Sequence, residues 1–336
     1  MEGSLAQDRL TDISPKAYEH PADRAATAAL GAVPMLDVVV RKLIELNYER
    51  ALRQSYLASA VRIGPGQMPD LWGSWEKVLA RLDMNEEYDL YVTQWPLANA
   101  VAIGSGKPMV VLNSELVGLL DAEELETVLA HEAAHILSDH VLYRTALIIL
   151  LRISGAARLP LLAGLPLMAV RTALMEWARA TELSCDRAAT LVNRDPLITC
   201  RTLMALGAGV PSSRLNVDAF MVQAGEYAEW DSSFDRLSRF FTELGLTHSY
   251  PVRRATEVQE WVRSGDYNRI IAGEYPRRSD PVDPRAEAGG AVEFYADRFR
   301  AIFRDAGDQV AKTGQRAAEW VRGSGPDDDD APNAPD

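Results

Sequence analysis

The sequence predicts an α+β fold that is mostly α-helical, with a small antiparallel sheet packed on one central helix. Two observations support this prediction. Apolar residues recur at helical spacing through most of the chain between residues 21 and 263. Between residues 88 and 112 the pattern changes to short runs of strand-forming residues bounded by glycine and proline. With 336 residues, 47% of them hydrophobic and 25% charged, the chain can bury a large core.

Each predicted helix is an amphipathic run bounded by turn-forming or capping residues. The runs are Asp37–Val61, Asp70–Leu82, Asp121–Leu151, Leu174–Asn193, and residues 195–207, 220–244, 252–263 and 286–322. The first is followed by Gly64-Pro65-Gly66, and the run after residue 195 opens on an Asp-Pro pair that commonly begins a helix.

Three short strands form the predicted sheet. They cover Tyr88–Thr93, Asn99–Ile103 and Met109–Leu112. A turn at Gly106-Lys107-Pro108 joins the second strand to the third. The sheet leads directly into a helix whose start is marked by Asp121 and Glu124, an acidic form of the capping box.

Changes of composition divide the chain into five parts. Residues 1–20 are polar and expected to be disordered, residues 21–84 are N-terminal helices, and residues 85–275 form the main domain. Residues 276–322 are a linker followed by C-terminal helices, and residues 323–336 are a disordered acidic tail.

The central helix carries the most informative motif, H-E-A-A-H at residues 131–135. His131 and His135 are one helical turn apart and lie on the same side, so both imidazoles can bind one metal ion. Glu132 is one position further round and can address a water molecule bound to that metal. The alternative is an exposed helix with two solvated histidines. The small apolar neighbours of the motif favour a partly buried helix instead, where unpaired histidines would be costly to desolvate.

A catalytic zinc site usually has three protein ligands, so a third must come from elsewhere in the chain. The metzincin continuation, which adds a third histidine six residues after His135, is excluded because it requires glycine at Ser138 and histidine at Val141. Glu182, on a separate helix, is the better candidate. Asp186 follows it one turn later and can accept the second N–H of a ligating histidine, which fixes its tautomer. Alternatively, the two acids form ordinary ion pairs with neighbouring arginines.

An extended peptide can pair with an edge strand that lies beside a metal. The candidate substrate-binding residues are therefore Asn99, Ala100, Val101 and Ala102. Cys185 is expected to be a small buried hydrophobe turned away from Glu182. His140 lies beyond His135 on the same predicted helix, and reaching the same ion would strain that helix.

The remaining composition limits partners and compartment. A net charge of −13 excludes sequence-independent nucleic-acid binding, which needs basic patches. Two cysteines and a polar N-terminus without a secretory signal predict a cytoplasmic protein. Thr145–Met175 is the most apolar stretch. It is either a buried helical hairpin or a peripheral contact with the inner face of a membrane, and its uncharged runs are too short to span a bilayer.

Three segments together resemble the HtpX and CAAX prenyl endopeptidase family of zinc metalloproteases: H-E-A-A-H at 131–135, E-L-S-C-D at 182–186 and N-A-V-A-I-G at 99–104. The similar stretch runs from about Tyr88 to Glu257, roughly half the chain. The resemblance implies a zincin-like core over residues 85–275. It also implies a soluble or peripherally membrane-associated endopeptidase that cleaves polypeptides in protein quality control.

The resemblance also implies the roles of individual residues. It implies one Zn²⁺ per chain, and the implied ligands are His131, His135 and Glu182. Glu132 takes the part of the general base, while His248 and Arg254 assist at the transition state, the histidine by donating toward the oxyanion. The family usually has proline directly after this histidine, whereas two residues stand between it and Pro251 here.

Two other classes of protein are compatible with the same residues. A non-catalytic, zinc-stabilised helical scaffold or chaperone-like binding protein would fill the fourth metal position with a protein ligand, such as Asp186 or His248. A membrane-surface protein would depend on Thr145–Met175.

Overall fold

A computed structural model describes residues 8–30, 36–45, 47–104, 106–154, 167–229 and 250–281. Within these ranges the chain is mostly helical and contains one four-stranded sheet, so the predicted α+β, mostly α-helical class is confirmed. The predicted C-terminal helices at 286–322 and the acidic tail at 323–336 lie outside the described residues.

The helices and strands are numbered here in chain order. The strands are β1 (Ala60–Ile63), β2 (Asp89–Thr93), β3 (Ala100–Ile103) and β4 (Met109–Asn113). The helices before the last strand are α1 (Pro21–Leu30), α2 (Leu36–Glu45), α3 (Tyr48–Ser59) and α4 (Pro69–Arg81). Those after it are α5 (Ser114–Leu119), α6 (Ala122–Leu137), α7 (Val141–Ser154), α8 (Leu167–Asn193), α9 (Pro196–Ala208), α10 (Val217–Glu229), α11 (Pro251–Arg263) and α12 (Asp266–Ile271).

The sheet is mixed rather than antiparallel, with the strand order β1-β2-β4-β3. β3 and β4 form the predicted hairpin, which turns through Gly104 at a φ of 105°. β4 lies between β2 and β3 and runs parallel to β2, with Asp89 opposite Met109. The fourth strand, β1, was expected to be the end of a helix. Its alternating β-branched residues pair antiparallel with β2 instead, since the sheet edge offers backbone partners that outweigh the helical pattern.

Two long predicted helices are each divided in two. Asp121–Leu151 becomes α6 and α7, which are separated at Asp139 with a left-handed φ of 60°. Asp37–Val61 is likewise divided at Asn47, with a φ of 55°. The predicted capping box of α6 is present, because Asp121 Oδ1 accepts from the Glu124 N–H at 2.9 Å and the reverse bond is 3.0 Å.

Helix α6 lies between the sheet and α8, and two apolar cores adjoin it. The first core joins α4, the sheet, α6 and the second half of α8. The second core joins the N-terminal helices to α7 and the first half of α8, and includes Leu36, Val39, Leu43, Leu147, Leu150, Leu174 and Trp177. The described parts of Thr145–Met175 are thus largely buried. Among the described residues no single helix is long and apolar enough to cross a membrane, although α6 and Val141–Arg152, bent by 104°, pass that test as a pair.

Residues 8–20 correct the expectation of a disordered N-terminus. Leu10, Ile13 and Tyr18 are buried in the first core. The Leu10 N–H donates to the Arg81 carbonyl at 2.8 Å, and Ile13 forms an antiparallel bridge with Arg277. Three well-spaced apolar side chains are sufficient to order this segment, although its composition is mainly polar.

Candidate active site

Two helices bring the three predicted metal ligands together. His131 and His135 lie on α6, and Glu182 lies on α8, which crosses it. The two Nε2 atoms are 3.2 Å apart. Glu182 Oε1 lies 3.3 Å from His135 Nε2, and its Oε2 lies 3.5 Å from His131 Nε2. The structure therefore brings the two imidazole nitrogens and the Glu182 carboxylate together in one cluster.

The spacing and charge of this cluster fit a divalent metal ion. Donor atoms at zinc-ligand distances in a tetrahedron are about 3.3–3.5 Å apart, close to the three distances observed. The buried carboxylates in or against the cluster are Asp23, Glu132, Glu182 and Asp186, and the buried guanidiniums are Arg144 and Arg254. Among the described residues the cluster therefore carries an excess of two carboxylates over guanidiniums, and a bound dication would balance it.

Asp186 contacts the second ring nitrogen of His131, Nδ1. Its Oδ1 lies 3.1 Å from His131 Nδ1, the nitrogen that faces away from Glu182. Although burial alone lowers the pKa of His131, the carboxylates of Glu182 and Asp186 raise it to about 9. Asp186 therefore contacts the side of His131 that faces away from Glu182, and it does not occupy the position of a fourth ligand.

Arg254, on α11, binds the carboxylates of the cluster. Its Nε and Nη2 donate to the two oxygens of Asp186 at 2.7 and 2.6 Å, and its Nη1 lies 3.3 Å from Glu182 Oε2. Burial acts to raise the pKa of Asp186, but Arg254 and His131 together hold it below its usual value. Arg254 thus clamps two acids of the ligand shell, whereas the resemblance implied a direct role at the transition state. His248 lies outside the described residues.

Glu132 points into the same cleft and is tied to the sheet. Its Oε2 accepts a hydrogen bond of 2.7 Å from the backbone N–H of Ala102 on β3. The cleft has a volume of about 250 Å³ and is lined by Asn99, Ala100, His131, Glu132, Glu182, Tyr250 and Arg254, with apolar side chains from α6 and α9. Since β3 is the outer strand of the sheet, two of the four predicted substrate-binding residues line the cleft from a strand edge.

Cys185 is closer to the cluster than expected. One ligand atom from each of His131, His135 and Cys185 lies within 4.8 Å of the others. Burial raises the pKa of the Cys185 thiol well above its usual value, which disfavours the thiolate that a metal requires. The Glu182 oxygens, at 3.3 and 3.5 Å from the imidazole nitrogens, are the better-placed donors.

Two further residues contact the cluster and were not predicted to do so. They approach it because the helix breaks after residue 137. His140 Nδ1 lies 3.1 Å from His135 Nδ1, the ring nitrogen of His135 that does not face Glu182, so His140 contacts a candidate ligand without being placed as one. Arg144 Nη1 donates to Glu182 Oε1 at 2.8 Å and lies beside His135 Nε2. Burial and Arg144 both lower the pKa of His135, which keeps its imidazole neutral. The helix break that brings both residues to the cluster occurs at Asp139, which has a positive φ. The sequence does not distinguish this aspartate from the others.

Comparison with known proteins gives two matches. Residues 67–262 match the family model described as Peptidase family M48. The chain is 36% identical over 265 residues to the protein named Plastoglobule-localized metallopeptidase 48, chloroplastic, of Arabidopsis thaliana. That alignment covers 77% of this chain and 76% of the relative. No solved structure matches the chain. The family match includes the candidate ligands, Glu132 and Arg254.

Proposed function

The chain belongs to peptidase family M48, and from that membership we propose that His131, His135 and Glu182 hold one zinc ion while Glu132 acts as the general base. The family resemblance drawn from the motifs is confirmed, and the chain is a metalloendopeptidase rather than a non-catalytic scaffold. The observation that supports the residue assignment is that the two imidazole Nε2 atoms lie 3.2 Å apart and each lies within 3.5 Å of an oxygen of Glu182, beside Glu132.

The chain's own groups supply the proton transfers. When bound, zinc would polarise the scissile carbonyl and lower the pKa of its water to about 7. Glu132 is placed to accept a proton from the attacking water at a carboxylate oxygen and to pass it to the leaving amine nitrogen. Asp186 holds the Nδ1 proton of His131, so that Nε2 offers a lone pair to the metal. Arg254 helps to keep Asp186 ionised and also forms an ion pair with Glu182.

Substrate binding is proposed for the outer edge of β3. Asn99 and Ala100 line the cleft, and Val101 continues the same strand, so a peptide added to this edge would run past Glu132. The N–H of Ala102 is bonded to Glu132, so its proposed role is to position the base. His248 remains the proposed oxyanion donor, as the family resemblance implies.

A peptidase acts on polypeptides, and the proposed location is the cytoplasm, supported by two cysteines that are both free and buried. The curated relative is named for chloroplast plastoglobules, which is a property of that protein. Contact of residues 145–175 with a membrane surface and a role in protein quality control remain predictions.

The deciding experiment compares Glu132→Gln with Glu123→Gln, an exposed glutamate of the same helix. Each variant is purified, its zinc content is measured, and cleavage of a peptide library is followed with and without a chelator. We expect about one zinc per chain in both, with cleavage reduced 100- to 10,000-fold for Glu132→Gln alone. Cleavage retained by Glu132→Gln would remove this residue from the mechanism, and a zinc-free wild type that still cleaves would remove the metal.

A further inference from the structure

We propose that Asp23, acting through His140, sets the tautomer of His135 so that its Nε2 presents a lone pair to the metal. This inference rests on the metal site of the proposed function. It concerns a residue of α1, outside the segment 67–262 that matches the family model. Asp23 and His140 are positioning residues, since neither touches the reacting atoms.

The three side chains form a continuous buried chain. His135 Nδ1 lies 3.1 Å from His140 Nδ1, and His140 Nε2 lies 3.3 Å from Asp23 Oδ2. The exposed fractions of His135, His140 and Asp23 are 0%, 5% and 0%, so water does not compete for these contacts. Two facing Nδ1 atoms form a hydrogen bond only when one of them carries a proton and the other does not. The question is therefore which of the two imidazoles donates.

The hydrogen-bond partners of Asp23 show that it accepts and does not donate. Ser184 Oγ lies 2.6 Å from Asp23 Oδ2, and its oxygen already accepts the His20 N–H at 2.9 Å, so its hydroxyl donates to Asp23. Thr27 Oγ1 accepts from Trp177 Nε1 and likewise donates to Asp23, at 3.2 Å. Asp23 thus acts as an ionised acceptor. A carboxylate that only accepts requires a proton on His140 Nε2.

A proton on His140 Nε2 is consistent with one set of proton positions along the hydrogen bonds from Asp23 to His135. Arg144 Nη1, which can only donate, lies beside His135 Nε2, so this nitrogen carries a lone pair. His140 Nδ1 lies 3.1 Å from His135 Nδ1 and is therefore the acceptor, and the Cys185 thiol, 3.9 Å away, is a second, weak donor toward it. His135 Nδ1 must then donate to His140 Nδ1, which leaves His135 Nε2 without a proton. That atom is the one that lies 3.3 Å from Glu182 Oε1.

The two metal-binding imidazoles are therefore oriented in different ways. His131 has a carboxylate directly behind it, since Asp186 accepts from its Nδ1. His135 has a second imidazole behind it, and the carboxylate that determines its tautomer is one residue further away. In this way the N-terminal helix α1 contributes to a metal site whose ligands all lie on α6 and α8.

The test is the replacement Asp23→Asn, which preserves shape but removes the carboxylate charge that holds a proton on His140 Nε2. A neutral amide oxygen is a weaker acceptor for that proton, so the opposite tautomer, with a proton on His135 Nε2, becomes more populated. We expect the zinc dissociation constant, measured by competition with a chromogenic chelator, to increase 10- to 100-fold. Asp186→Asn should give a similar increase through His131. Thr27→Val, which removes one partner of Asp23 but keeps the carboxylate, should bind zinc like the wild type.

A second measurement keeps the inference testable if Asp23→Asn does not fold. Nitrogen NMR of wild-type protein labelled only at its histidines distinguishes protonated from unprotonated ring nitrogens after chelation. A proton on His135 Nδ1 and none on Nε2 is expected, and the reverse would overturn the inference. Unchanged zinc affinity for Asp23→Asn beside weakened affinity for Asp186→Asn would also overturn it, while leaving the metal site intact. Failure of the wild type to bind zinc at all would instead refute the proposed function.

Discussion

The backbone N–H of Ala102 donates a hydrogen bond of 2.7 Å to the carboxylate of Glu132. β3 is an outer strand that pairs with β4 on one side only, and the bond to Glu132 shows that the Ala102 N–H points to the free side, toward α6. The contact holds the proposed base against the strand along which a substrate would bind. The sheet therefore both positions the base and offers the peptide an edge.

Ala102→Pro tests this contact, because proline has no N–H and here costs no bond within the sheet. A hydrogen bond to a charged group contributes about 1.5–3 kcal/mol, so we expect kcat to fall about 10- to 100-fold. Zinc content and the circular dichroism spectrum should match those of the wild type. A properly folded variant with wild-type kcat would show that the contact does not orient Glu132 during the reaction.

Arg254→Met tests the clamp on the two acids. Removing this buried guanidinium leaves Asp186 and Glu182 without their shared cation, a change that typically costs about 3–5 kcal/mol of unfolding free energy. Urea unfolding after chelation measures the loss. Arg263→Gln, an exposed change on the same helix, should stay within about 0.5 kcal/mol of the wild type. Equal stability of the two variants would contradict the clamp.

The parts of this site that sequence could predict are those fixed by local geometry. The spacing of His131 and His135 places them on one face of any α-helix. Glu182 was predicted as a ligand because a catalytic zinc site usually has three protein ligands. His140 could not be placed, since its approach depends on a helix break at Asp139. Asp23 could not be placed either, because its position depends on how α1 packs against α8. Likewise, the order of the strands depends on tertiary pairing, which alternation of apolar residues does not encode.

Zinc binding should release a proton from His131. The carboxylates of Glu182 and Asp186, acting against burial, raise the pKa of His131 to about 9, so this imidazole carries a proton at neutral pH before the metal binds. The metal must displace that proton. Apparent zinc affinity should therefore rise by up to about tenfold per pH unit between pH 7 and 9 and then level off. Calorimetry in buffers with different ionisation enthalpies counts the proton, and release of none would contradict the prediction.

His20 should make the fold sensitive to mild acid. Its Nδ1 accepts from the Ala22 N–H at 3.0 Å and its Nε2 lies 3.1 Å from Glu257, so protonation at Nδ1 would break the first bond. Burial lowers the pKa of His20 in the folded state, and the partly opposing Glu257 does not restore it. The stability that depends on neutral His20 is therefore fully present above about pH 6.5, the unfolded value, and is lost as the pH falls toward the lower folded value.

His20→Gln removes this titration. Between pH 6.5 and 5, the unfolding free energy of zinc-loaded wild type should fall more steeply than that of His20→Gln, by up to about 1.4 kcal/mol per pH unit. Ala28→Ser, an exposed change on α1 that adds no titrating group, should keep the wild-type slope. Because the metal ligands are the same in all three proteins, their protonation cancels in the comparison. Parallel slopes for wild type and His20→Gln would show that His20 takes up its proton equally in the folded and unfolded chains.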